Sequence, residues 1–480
     1  MKNWLFFGAL LLVTISASIY AEEGVKKSES LDEKQQAIAT YLLEEGVKER
    51  ERGSYDESSI LLQKALNIYR SENKNSLAYS NVMYELAYLY TKQGEYEEAE
   101  SLYNQSLDMK VTILGGDDPS IATILDNLAN LYEKTSEYDK AEILYRRAMK
   151  INVQATGEGS PAVAANLSNI ANIGFIRGKY DEAELLYQRA LMLMEKTLGK
   201  DNLTVADTLN NLAGVYFKKG DYDSAEPLYQ RSLEIVESKL GRYHPETSIR
   251  LNNLAELYRA KGDMDAAENL YQRDLFITEK VLGKTHPSVI KTLNNLAELY
   301  RNTGDMEKAE PLYQRALRIA EAKFGKGHLS TASILNNLGE LYRETGHYDK
   351  AEINYKKSLS IIEAKFGIEE HPEVAIRLNN LAELYKMKGD FEKAERFFNR
   401  ALAIKEKLDG ADHPSIAITE NNLASLYEEQ GDYKTAEKHY QRAIEILNKA
   451  FPDGHPNLKT VIANYDDMKV KMEVEGVDKK

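Results

Sequence analysis

Apolar residues recur along this chain at two nested spacings. The short one is helical. Leu251, Leu254, Ala255 and Tyr258 stand at i, i+3, i+4 and i+7, one face of a helix. Gly262 ends that run, and Ala267, Leu270, Tyr271 and Leu275 begin a second, closed near Leu282-Gly283. The long spacing is a repeat. Leu212, Leu254, Leu296 and Leu338 are 42 residues apart, and each follows an Asn-Asn pair. Ile170, Leu128 and Leu86 hold the phase backwards, Leu381 and Leu423 forwards. The single step of 43, from Leu338 to Leu381, places a one-residue loop insertion between Gly367 and His371. A turn glycine recurs at 53, 94, 178, 220, 262, 304, 346, 389 and 431, with Ser136 in its place once. The pattern predicts ten helix–turn–helix units over residues 36–451, a closing helix within 452–474 and a tail at 475–480. One such pair cannot bury its apolar face alone, so the units must stack. The expected fold is all-α, a right-handed solenoid superhelix whose concave side is made mainly by the first helix of each pair.

These residues resemble the tetratricopeptide pattern: a small residue (Ala255) one turn before Tyr258, then Ala267 and Tyr271 after the glycine. The period of 42 exceeds the usual length of about 34 by two helical turns. A more specific resemblance is to the repeats of kinesin light chains. It rests on Ala225-Glu226-Pro227-Leu228-Tyr229-Gln230-Arg231, then Leu240-Gly241, His244-Pro245 and Leu251-Asn252-Asn253-Leu254-Ala255. It covers nearly all of the chain after residue 76. The chain departs from kinesin light chains in carrying an export-type N-terminus and in lacking a long heptad coiled coil. The resemblance therefore implies an exported bacterial member that keeps the binding scaffold and not the motor role.

A helical wheel with Leu251 at the origin puts Arg259 at about 80°, Asn252 at about 100° and Glu256 at about 140°, flanking the core on one side. The resemblance implies that this flank holds extended peptide segments. The candidate groove residues are Asn210, Asn252, Asn294, Asn336, Asn379 and Asn421, with Arg259, Arg301, Arg343 and Lys386. An Asn side chain both donates and accepts, which suits a peptide backbone. The competing reading is structural: Asn253 and its equivalents bond backbone in the next repeat, and the Glu–Arg pairs, three apart, bond each other. In the fourth and fifth units the arginine position becomes Phe175 and Phe217, and Gly174 replaces a buried tyrosine. Either Phe175 or Met192 fills the gap, or the groove floor has an apolar pocket.

Composition narrows the function. The net charge of −14 disfavours nucleic acid as a partner, and no cysteine is present to form disulfides or thiolate metal sites. Residues 1–21, with Lys2, an apolar stretch from Leu5 to Tyr20 and small residues before Ala21, read as a secretory signal peptide cleaved after Ala21. The rival is an uncleaved anchor, for which the apolar run is short. Residues 22–35 read as a charged linker, and no later segment reads as a membrane span. The expected location is periplasmic or secreted. His244, His286, His328, His371, His413 and His455 recur in register, where other units have Asp118, Ser160 and Asn202. That is a helix N-cap pattern rather than a metal site, since consecutive histidines lie a whole repeat apart. Asp274 replaces the small residue found as Ala190 or Ala316; it is either locally paired or marks a change in packing. No phosphate loop, nucleophile elbow or metalloprotease motif occurs, and the repeats leave no room for a catalytic domain. The expected function is a non-enzymatic protein or peptide scaffold needing no cofactor or metal. The alternative is a structural part of an envelope secretion or exopolysaccharide assembly.

Overall fold

Each repeat folds as a hairpin because its ends are marked locally. The computed structural model describes residues 31–72, 75–368, 371–452 and 454–475. Within them lie twenty-one helices and no strand. The first helices of the ten hairpins are α1 (Leu31–Glu51), α3 (Leu77–Gln93), α5 (Pro119–Lys134), α7 (Pro161–Ile176), α9 (Leu203–Lys219), α11 (Pro245–Lys261), α13 (Ser288–Asn302), α15 (Leu329–Glu344), α17 (Pro372–Met387) and α19 (Pro414–Glu429). Their partners are α2 (Tyr55–Glu72), α4 (Tyr96–Leu114), α6 (Tyr138–Thr156), α8 (Tyr180–Leu198), α10 (Tyr222–Leu240), α12 (Met264–Leu282), α14 (Met306–Phe324), α16 (Tyr348–Phe366), α18 (Phe391–Asp409) and α20 (Tyr433–Ala450). A single helix, α21 (Pro456–Glu475), closes the stack. The architecture is an all-α solenoid of helix–turn–helix repeats.

The histidine register caps the first helices. Nδ1 of His244 accepts the Glu246 amide at 3.1 Å, and His371 accepts the Glu373 amide at 3.2 Å. Asp118 and Ser160 cap α5 and α7 in the same way. These bonds satisfy amides that the helix itself leaves orphaned.

Inside most hairpins, alanines such as Ala255 and Ala267 let the helices approach, and a tyrosine of the second helix fills the space between them, with Leu62 in that register in the first hairpin. Tyr103, Tyr145, Tyr187, Tyr271, Tyr313, Tyr355 and Tyr440 are fully buried, with Phe398 in the same register. Burying such a ring contributes on the order of 2–3 kcal/mol. Between hairpins, the first-helix tyrosine donates to a glutamate of the preceding second helix: Tyr258 to Glu226 at 2.9 Å, Tyr342 to Glu310 at 2.7 Å, Tyr427 to Glu395 at 2.8 Å. Where Gly174 has no ring, Arg177 reaches Glu142 instead, at 3.2 Å. Met192 is 61% exposed and fills nothing there.

Two boundaries differ from expectation. Helix α1 begins at Leu31, so residues 31–35, expected in the linker, are helical. The described repeats, expected as one domain, divide into two compact units on either side of residue 208, the division falling inside α9. The expected signal peptide, the linker up to residue 30 and the tail beyond Glu475 lie outside the described residues. Among the described residues no helix is long and apolar enough to cross a membrane.

Candidate functional site

In each unit, close approaches between non-consecutive helices join first helices: α1 with α3 and α3 with α5, then α13 with α15, α15 with α17 and α17 with α19. The first helices therefore make the more tightly curved face, and the asparagine, glutamate and arginine registers lie on its flank.

The asparagines form a ladder. In three steps the second residue of a pair donates to the first residue of the preceding pair: Asn253 to Asn210 at 2.8 Å, Asn337 to Asn294 at 2.9 Å, Asn380 to Asn336 at 2.8 Å. Asn464 of α21 extends it to Asn421 at 2.9 Å. Asn379 donates to Thr419 at 3.0 Å. Asn252 is only 3% exposed, and its Nδ2 has no hydrogen-bond partner. Thus one amide face of several of the candidate asparagines serves the stack.

The charged register is also knitted together. Arg259 bonds Glu256 at 2.7 Å within its helix and approaches Glu298 of the next hairpin at 3.3 Å. Arg301 pairs with Glu344, Arg343 with Glu340, and Lys386 with Glu383 and Glu429. Glu256 also accepts from the buried Tyr271 hydroxyl below it. Neighbouring carboxylates raise the Arg259 pKa further, outweighing the opposing effect of burial. The result is a row of fixed, alternating charges.

Phe175 and Phe217 belong to different units. Each rests on the tyrosine that opens its own second helix, Phe175 on Tyr180 at 5.8 Å between ring centres and Phe217 on Tyr222 at 5.6 Å.

Sequence reasoning passed over the polar groups in the seams between hairpins. Asn152 donates to Asn166 at 2.7 Å, and Asn166 to Asp126 at 2.6 Å. Burial pushes the Asp126 carboxyl up to about 7, although the Asn166 amide pulls it back. Lys405 donates to Thr419 at 2.9 Å and to the Ser415 carbonyl at 2.8 Å, and burial draws its ammonium down to about 8. The available signal was a paired break in the apolar register: Asn152 with Asn166, and Lys405 with Thr419, each 14 residues apart.

A stack of helix–turn–helix hairpins repeated at one interval defines a repeat scaffold. The chain belongs to the tetratricopeptide repeat family, whose pattern matches residues 36–110, 120–196, 162–237, 204–275, 277–364 and 373–449. Proteins of this family are generally protein-binding scaffolds, and the fold is generally non-catalytic. Among solved structures, BtubC (BKLC) from P. vanneervenii is 29% identical, covering 53% of this chain and 94% of its own, with a TM-score of 0.40. The nearly identical repeats of a Podosopora anserina kinesin light chain-like protein are 24% identical, covering 43% of this chain and 99% of their own, TM-score 0.39. A Rap protein complexed with Competence and Sporulation Factor is 16% identical, covers 78% of this chain and 98% of its own, and has a TM-score of 0.52, a likeness of fold. A comparison with curated proteins finds no match.

Proposed function

We propose that this protein is an exported scaffold that holds extended polypeptide segments along the first-helix face of its hairpins. The observation that carries the reading is the regularity of that face. Consecutive hairpins present Asn, Glu and Arg or Lys at one repeat interval, on the side where first helices approach each other. Amides and fixed charges at constant spacing match the regular donors and acceptors of an extended backbone while reading little of its sequence. Phe217, at the arginine position, adds an aromatic anchor point. The N-terminal residues 1–21 support a periplasmic or secreted location. The acidic charge supports a polypeptide rather than a nucleic-acid partner, and the reading requires no metal, cofactor or catalytic step.

A second reading, a structural part of an envelope secretion or exopolysaccharide assembly, is favoured by one feature. Ile143 and Leu185, one repeat apart on α6 and α8, are 66% and 69% exposed, an apolar strip on the second-helix side.

Titration of polypeptides captured from the cell envelope separates the two. Phe217→Ala is expected to weaken capture several-fold more than Glu298→Ala. Photocrosslinking from position 217 is expected to tag the partner. Equal affinities for the two variants, with crosslinks formed only from position 185, would reject the groove reading for the assembly reading.

A further inference from the structure

The seam of α11, α12 and α13 carries a buried acid where other hairpins of the second unit place Ser232, Ala316, Ser358, Ala401 or Ala443. Asp274 is wrapped by hydroxyls. Thr292 donates to Oδ2 at 2.8 Å, Thr278 to Oδ1 at 3.2 Å, and Ser248 also to Oδ1. A carboxylate offers about four lone-pair positions, so three hydroxyls leave one open. The hydroxyls are neutral. Burial raises the carboxyl pKa; the Ser248, Thr292 and Thr278 hydrogen bonds and, least, Lys291, exposed on α13, offset it only in part. A cavity of about 270 Å³ opens over Asp274, walled by Ile249, Ile277, Val281 and Leu282. Asn252, whose buried Nδ2 lacks an acceptor, also lines it.

Each feature constrains the occupant. The apolar walls suit an aliphatic stem. The carboxylate beneath them rejects anions and attracts a cation. The unbonded amide donor asks for a carbonyl at the same place. The equivalent seam in the first unit opens a cavity of about 340 Å³, lined by α1 as well as α3, α4 and α5, with Lys110 at the Thr278 position and Glu85 beside it. The location is thus a recurring cavity whose charge changes from seam to seam.

We propose that the Asp274 cavity takes a lysine or arginine side chain of the bound polypeptide, its stem along the apolar walls, its cation on Asp274 and a nearby carbonyl on Asn252. This rests on the reading of the first-helix face as a polypeptide-binding face, and it adds a preference that the generic asparagine ladder lacks.

The test is selection of random phage-displayed peptides on the full chain, followed by titration of the selected peptides against Asp274→Ala and Asp274→Asn. Ala316 occupies the equivalent position, so Asp274→Ala is compatible with the fold, and Asp274→Asn keeps the shape without the charge. Selected peptides should share one basic residue. Both variants should bind them at least tenfold more weakly without a lowered melting temperature. Replacing the peptide's basic residue by norleucine should weaken binding to the native chain and not to Asp274→Ala. Selected peptides without a shared basic residue, or equal affinities for all three chains, would overturn the cavity assignment and leave the wider reading standing. Retention of no peptide by the folded chain would reject the wider reading, and the assignment with it.

Discussion

Ser136 holds φ at 64°, the one non-glycine residue among the described ones with positive φ. It sits where the other hairpins place a turn glycine, as at Gly262 with φ 84° and ψ 6°. That left-handed conformation costs a side chain about 1–2 kcal/mol, part of which glycine loses again as unfolded-chain entropy. Ser136→Gly is therefore expected to raise stability by about 0.5–1 kcal/mol in urea denaturation; a lowered midpoint would contradict this. The glycine closing each second helix is more constrained. Gly283, with φ 94° and ψ 152°, lies in a region that only glycine enters readily. This is why the turn glycine tolerates one serine while a glycine follows every second helix from α4 to α18.

At the scale of elements, the hairpin is legible and the seam is not. Turn glycine, N-cap and apolar face all act within a few residues, so the spacing places every hairpin. Seam chemistry depends on which side chain of one helix meets which of the next. Asp126, Asn152 and Asn166 read singly as polar exceptions; together they form a closed chain of hydrogen bonds. The competing readings of the asparagines were separable only once Asn253 was seen reaching Asn210. Asp126 gives a prediction with a sign. Burial raises its folded-state pKa above the unfolded value, so the folded chain binds more protons between about pH 4 and the folded value of about 7. Stability should fall as pH rises through that window, since ionised Asp126 is the costly form. Asp126→Asn places there the residue found at Asn210 and Asn252, and should raise stability at pH 8 by about 1–2 kcal/mol while flattening that slope. Thermal unfolding at pH 5 and pH 8 measures both; an unchanged slope would mean the group is solvated in the folded chain.

For the whole molecule, the stack needs an end. Leu458, Val461 and Met468 of α21 are buried in the core that includes Ile446 and Leu447 of α20. In the same unit a methyl at Gly220 would stand 3.2 Å from Pro456 Cδ, so the start of α21 lies against the turn after α9. Deleting residues from 456 onward should lower the melting temperature and promote association through the bared apolar face, seen by calorimetry and light scattering. An unaltered, monomeric melt would show that α20 closes the stack unaided. The sequence by itself determined the period, the ten hairpins and the closing helix, because the signals for these lie within one repeat. The tertiary structure decided the division at residue 208, the burial of Asn252, the ion pairs that occupy Arg259 and its equivalents, and the cavity over Asp274. Each of those depends on a neighbour roughly one repeat away along the chain but a few ångströms away in space, and a linear pattern does not record that distance.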